Sequence, residues 1–522
     1  MSSEWPICKL SDFINVKHGF AFKGEFFKET ETKNVLVTPG NFLIGGGFKL
    51  DKLKYYDGPI PSEYVLNEHD LIVTMTDLSK EADTLGYSAL IPCSYGLVFL
   101  HNQRVGLVEF NNDDLDKLYL YFLLRSNDYR NLIVGTATGS TVKHTSPSRI
   151  LSYEFSKPPK HIQVAIGKFL FFLEEKIQLN RQINQTLEQM AQAIFQSWFV
   201  DFEPVKAKIA AREDWLARQA AQSDAHDDAP QFSSPVCYAH EFADAAAPAP
   251  ATQADLETFM NRAVMCAISG KTDADLDAMP AADYQRLYHT ASLFPDELVE
   301  SELGEIPKGW EIKEIGVLVE TVGGATPSTK NEEFWSPEEF HWTSPKDLSG
   351  ISSPILLTTE RRISKEGLKK ISSGLLPVGS LLMSSRAPIG YLAITDIPVA
   401  INQGYIAMTP GGQLPPLYML MWCKQYMEDI KGMANGSTFM EISKKSFRTL
   451  KAIIPSEEVI KCYLNQADSM FKAIVSNEKE IGNLTVLRDS LLPKLLSGEL
   501  DISALTDLAA ATDAAEPGAA HV

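Results

Sequence analysis

Two stretches of this chain place apolar side chains at alternating three- and four-residue intervals. The first runs through Leu173, Ile177, Asn180, Asn184, Leu187, Ala191, Ile194 and Trp198. The second runs through Met470, Ile474, Asn477, Ile481, Leu484, Arg488, Leu491 and Leu495. Each stripe predicts a long amphipathic helix able to pack on the other, and forty helical residues would span about 60 Å. Asn180 and Asn477 either hydrogen-bond across the seam and fix its register, or face solvent near a splayed end. Pro493 follows Leu491 and Leu492 and predicts a kink or a restart of the second helix. Before each helix the pattern is shorter and mixed. "HDLIVTMT", "GLVFLHNQRVGLVEF", "GSLLMSS", "GYLAIT" and "GYIAMTP" read as short strands, and "DLDKLYLYFLLRSNDYRNLI" and "PLYMLMWCKQYMEDIKGM" as amphipathic helices.

The two halves are related. An offset of 297 lays "GTATGST" (135–141) on "GMANGST" (432–438), and carried into the helices it lays Ile177 on Ile474, Leu187 on Leu484 and Ile194 on Leu491. Offsets near 300 pair "HNQRVGLVEF" with "INQGYIAMTP", and 305 pairs "WPICKL" with "WEIKEI". This is an internal duplication with drift in loop lengths. The predicted class is α+β: two similar globular domains, 1–160 and 306–460, each followed by a spacer helix, 161–205 and 461–504. An antiparallel helix pair would place one domain at each end of a rod, about an approximate two-fold axis within one chain. Residues 206–305 form an acidic Ala/Pro-rich insertion and connector, read as extended or partly helical on the surface, and 505–522 a disordered tail.

Composition narrows the function. The net charge is −19, but residues 201–305 hold 7 Lys+Arg against 20 Asp+Glu, a net of −13, while 1–160 and 306–460 stand at −2 and 0. A basic face on each globular domain is therefore compatible with the acidic total. The six cysteines lie far apart in sequence and the ten histidines show no ligand spacing, so we expect free, mostly buried thiols and no metal site. No apolar run is long enough to span a bilayer, and "MSSEWPICKL" lacks a signal-peptide pattern, which predicts a cytoplasmic protein with no membrane partner.

The phrases "DLIVTMTDLSKEADTLGY", "LNRQINQTLEQMAQAIFQSWFVDFEPVKAK", "LFPDELVESELGEIPKGW", "SSRAPIGYLAI" and "LRDSLLPKLLSGEL" together resemble the specificity subunit of type I restriction–modification enzymes. The resemblance covers nearly all of 1–205 and 293–505, and 206–292 departs from the family's short connector. It implies two target recognition domains, each reading one half of a split asymmetric sequence in double-stranded DNA. The helices would fix the unread spacing and dock two modification subunits, which methylate adenine with S-adenosylmethionine. A restriction subunit would translocate and cut DNA with ATP and Mg. This chain would hold no cofactor and no catalytic residue. The residues agree: both Pro-Pro pairs ("SKPPKH", "QLPPLY") stand in the wrong context for an adenine methyltransferase, and no P-loop occurs.

Bases are read by Arg, Lys, Asn, Gln and hydroxyl side chains, and phosphates by cations and backbone amides. Three loops in each half offer such groups. The first holds Thr76 and Lys80, with Arg386 as the counterpart; Arg386 either reaches DNA or pins its own loop to a carboxylate. The second, "HNQR" and "INQG", recurs in both halves and so reads as a fold element, since two readers of different sequences should differ where they specify. The third offers Lys143 and Arg149, matched by Lys444, Lys445 and Arg448, for phosphate contact. Arg361 and Arg362 lie in "TTERRISKEGLKK", either a solvated helix face or a phosphate track. Ile177, Asn180, Leu187, Ile194, Trp198, Phe199, Ile474, Asn477, Leu484, Leu491 and Leu495 are assigned to helix pairing or partner docking. The alternative reading is a coiled-coil scaffold joining two protein-binding domains.

Overall fold

In the computed structural model both apolar stripes form unbroken forty-residue helices, Lys160–Phe199 and Glu457–Leu496. The structure describes residues 5–79, 81–93, 96–227, 252–386, 388–436 and 440–500; the expected disordered tail, Cys237 and Lys80 lie outside them. The chain divides into two compact units, Met1–Leu179 with Glu480–Val522, and Asn180–Lys479. Each unit holds one α/β region and a segment of both long helices.

In the first unit, strands β1 (Ile14–His18), β2 (Leu71–Thr74), β3 (Ser88–Leu90) and β4 (Val105–Phe110) form an antiparallel sheet in the order β1-β4-β2-β3. β2 is buried along its whole length, which explains its continuous apolar run. Beside it, Asn34–Val37 pairs in parallel with Val98–His101. The helices Lys117–Leu123 and Asn127–Gly135 follow, started by the side chains of Asp116 and Ser126, which accept from Tyr119 N and Tyr129 N. Their buried faces meet Ile166 and Leu170 of the first long helix and Leu495 of the second in one core.

The second unit repeats this plan. β5 (Thr321–Val322), β6 (Leu381–Ser385), β7 (Ile389–Thr395) and β8 (Tyr405–Met408) stand in the order β5-β8-β6-β7, with Ile355–Leu356 added in parallel beside β7. Phe340–Thr343 again pairs in parallel, here with Ala400–Ile401. The repeat extends to single atoms. A Cβ on Gly19 would stand 2.2 Å from the Asn102 carbonyl oxygen, and one on Gly324 would stand 1.8 Å from that of Ile401. Only glycine lets the first strand cross so close to the Asn-Gln turn. In that turn the Asn102 side chain accepts from Arg104 N and the Asn402 side chain from Gly404 N, so the shared motif is a fold element.

The helices run antiparallel within each unit. Lys176 and Glu174 face Glu480 and Arg488 in the first; Asn184 and Ala191 face Asn477 and Tyr463 in the second. Two expectations are corrected. Asn477 Nδ2 donates to Asn184 Oδ1 at 2.8 Å rather than to Asn180, because the antiparallel stagger sets Asn184 opposite it; Asn180 is itself buried. The second helix does not restart at Pro493. The proline lies in the last turn, where Ser497 N still donates to the Pro493 carbonyl.

Residues 228–251, most of the Ala/Pro-rich stretch, lie outside the described residues; the described parts of the insertion are helical, as one of the two readings had it, but they are not confined to the surface. Helices Glu203–Asp227, Gln253–Ser269 and Ala281–Ser292 pack on one another, and Val264, Met265, Leu276 and Ala291 join the core of the second unit. Much of its acidity has a local use. Thr252 with Asp255 and Thr272 with Asp275 form capping boxes, and Asp273 and Asp277 hold Arg262. Lys208 is buried with its ammonium on the Phe294 carbonyl at 2.7 Å. The cysteines depart from expectation too: of the five described, only Cys423 is buried, and Cys93 is exposed. Among the described residues no helix is long and apolar enough to cross a membrane.

Candidate nucleic-acid interface

The first and third loops meet in both halves. In the first unit Thr76 and Asp77 pair in antiparallel register with His144 and Lys143. The loop between β2 and β3 is then fixed from within. Asp77 Oδ1 accepts from Ser79 N at 2.7 Å, and Oδ2 accepts from the Thr84 hydroxyl at 2.7 Å and from Thr84 N. Burial alone would raise the Asp77 carboxyl, but these hydrogen bonds outweigh it and hold the group below its ordinary range. Arg130 lies over the Tyr87 ring and donates to the carbonyls of Ala82 and Leu85. Leu78 is left 67% exposed at the tip.

In the second unit Arg386 takes the place of Thr76, bridging to Glu441 with Nη1 3.8 Å from its carboxylate. Ser385 N donates to the Gly404 carbonyl and Ile442 N to that of Ser385. Three loops thus converge, and the alternative of Arg386 pinning its own surroundings is the one the geometry favours. Next to them Lys444, Lys445 and Arg448 are exposed on the short helix Lys444–Arg448, started by Ser443. Their counterparts Lys143 and Arg149 are half-buried.

One sequence assignment does not survive, and a second, Arg361 with Arg362, stays exposed but on a strand rather than a helix face. Thr76 is only 5% exposed, with its hydroxyl bonded to His144 Nδ1, so it supports the loop and cannot reach a ligand. Arg361 and Arg362 do not form one basic face, because neighbours on a strand point to opposite sides. Arg361 stacks over Trp335 at 3.5 Å and lies 5.4 Å from Trp342. Arg362 donates to His341 Nε2 at 3.1 Å, and the Thr359 hydroxyl donates to the Arg361 carbonyl, which leaves His341 Nδ1–H to donate to Thr359. Burial, and then Arg362, lower the His341 pKa and keep this acceptor neutral.

The helix-pairing residues are all buried or half-buried. Ile177, Ile474 and Leu495 are buried; Leu187, Ile194, Asn477, Leu484 and Leu491 are half-buried. Trp198 and Phe199 are buried too, in an aromatic cluster with Phe195, Tyr418 and Tyr463, and Phe202 packs on Trp310. They pack the core and are closed to partner docking. Sequence reasoning missed Asp77, Arg130 and Trp335. For Asp77 the signal was present, since Asp-x-Ser after a strand is an Asx-turn pattern.

The profile of the type I restriction modification DNA specificity domain matches residues 2–189 and 307–480, the two copies of region plus helix. The chain belongs to this family. The type I restriction enzyme HindI specificity subunit of Haemophilus influenzae is 29% identical over 445 residues, covering 81% of this chain and 87% of that one. The MjaIX specificity subunit of Methanocaldococcus jannaschii is 37% identical over 164 residues, 31% of this chain and 38% of that one. The S subunit structure from M. genitalium aligns over 94% of this chain and 96% of that one, with a TM-score of 0.49 and 14% identity. Family membership makes the convergent loops a candidate surface for DNA sequence recognition. The packed helices Glu203–Asp227, Gln253–Ser269 and Ala281–Ser292 lie between the two family matches.

Proposed function

We propose that this chain reads a bipartite, asymmetric DNA target, one half with each α/β region, and directs adenine methylation and restriction by partner subunits. The observation that supports it best is a repeated scaffold with unlike tips. The sheet order and the loop junction occur twice. Around it the junction presents Lys143 and His144 in one half, and Glu441 in the other, while the buried Thr76 and the paired Arg386 support the loops. Two readers of different half-sites need that combination, because shared scaffold residues position while differing tips specify. Lys444, Lys445 and Arg448 are the phosphate contacts of the second half.

Catalysis belongs to the partners in this reading. Two modification subunits supply S-adenosylmethionine chemistry, and a restriction subunit supplies ATP- and Mg-dependent cleavage. The test is methyl transfer from labelled S-adenosylmethionine to DNA by the purified chain, with and without its modification subunit. Transfer only with the partner, at adenines in one split motif, is the expected result. Transfer by the chain alone, or the same motif without the chain, would overturn it.

A further inference from the structure

We propose that Tyr121, Arg125, Glu174 and Arg488 form a buried polar clasp that fixes the pose of the first recognition region on the long helices, and thereby restricts the half-site spacing the protein accepts. This rests on the bipartite reading above. Glu174, on the first long helix, is the hub. Its Oε2 accepts from Arg125 Nη1 at 2.6 Å and lies 3.5 Å from Arg488 Nη1 of the second long helix, and its Oε1 accepts from the Tyr121 hydroxyl. Arg125 Nε donates to the Gly45 carbonyl at 2.6 Å, and Arg488 also pairs with Asp489. The cluster therefore joins loop 43–47, the end of helix Lys117–Leu123 and both long helices, all within the first unit. The side chains of Arg125, Glu174 and Arg488 are 4%, 11% and 16% exposed. Gly46 has φ +93°, and a Cβ there would meet Arg125 at 2.6 Å, so the loop is shaped around that guanidinium.

The repeat shows that the fold does not require these charges. Keeping the 297 offset, Tyr121 corresponds to Tyr418, Arg125 to Trp422, Glu174 to Phe471 and Arg488 to Ala191. All four counterparts are buried, and the Tyr418 ring sits 5.0 Å from Phe195 and 5.1 Å from Phe199. The second unit thus closes the equivalent seat with apolar packing. A buried ion pair seldom adds stability over such packing, because desolvation offsets its attraction. What it adds is direction: the guanidinium fork and carboxylate meet well in one geometry. Apolar surfaces tolerate small rotations that a directional network does not. The clasp residues are positioning groups, and none of them is placed on the DNA.

The experiment uses the full chain assembled with its modification subunit, and a DNA library in which both half-sites are fixed and the spacer length varies. The triple variant Arg125→Met, Glu174→Met, Arg488→Met removes the charges together. We expect methylation of the neighbouring spacer lengths to rise about tenfold relative to the native one, with the half-site bases unchanged. Unchanged spacer selectivity in a variant that keeps the native melting temperature and assembles normally would overturn the proposal. If the triple variant does not fold, Arg125→Lys decides, since it keeps the charge and loses the fork: relaxed spacing supports the clasp and unchanged spacing overturns it. A native protein that methylates no split motif would refute the bipartite reading itself, and the clasp with it, before any variant is read.

Discussion

Asp77 has the clearest consequence for a single side chain. Its carboxylate receives Ser79 and both donors of Thr84, which shapes the loop that presents Leu78. Asp77→Ala should weaken that loop by about 2 kcal/mol, the usual scale for charge-assisted hydrogen bonds, with amide exchange rising across 79–86 and little change elsewhere. Because its pKa is depressed in the folded chain, its stabilisation is fully present above the unfolded carboxylate value. It is lost only as pH falls through the lower folded value. Loss of loop protection in the native chain at neutral pH would contradict this. The exposed cations predict a different effect. Lys444→Ala with Lys445→Ala should weaken DNA binding equally across sequences. The slope of log affinity against log salt should flatten by about 0.9 for each phosphate no longer neutralised. A change in preferred bases would instead make these lysines readers. What the sequence hid at this scale was tertiary contact: Thr76 and Arg361 look like free polar side chains in one dimension, yet the fold buries one and lays the other, still exposed, on a tryptophan.

Among the elements, the long helices were legible because their apolar spacing continues for forty residues. Their stagger was not, since spacing alone does not say which asparagine faces which. The Asn184–Asn477 bond predicts that Asn477→Ala costs about 1–3 kcal/mol by leaving a buried amide short of a partner. Replacing both asparagines by leucine should cost much less. Trp198→Ala should cost about 3–5 kcal/mol, as a large aromatic removed from a packed cluster. Denaturant titration measures all three. The packing of residues 252–292 was hidden because their acidic side chains resemble solvated charge, whereas here they cap helices and hold Arg262. Thr252-x-x-Asp255 and Thr272-x-x-Asp275 are readable helix starts, and caps weighed above composition place the helix Gln253–Ser269 and the short helix Asp273–Asp277.

For the molecule as a whole, duplication was the most informative property of the sequence, and four strands of each sheet repeat it in the same order. Target bases are a different matter. They depend on which side chains the converging loops present, a property of the folded geometry that residue order alone does not carry. The division of labour, in which each half reads its own half-site, is tested by exchanging one half. Residues 1–160 would be replaced with the equivalent region of a relative of different specificity, and methylated adenines mapped across the genome. One half of a split motif should change while the other half and the spacing are retained. A motif altered in both halves, or one that persists after the chain is deleted, would contradict the two-reader arrangement.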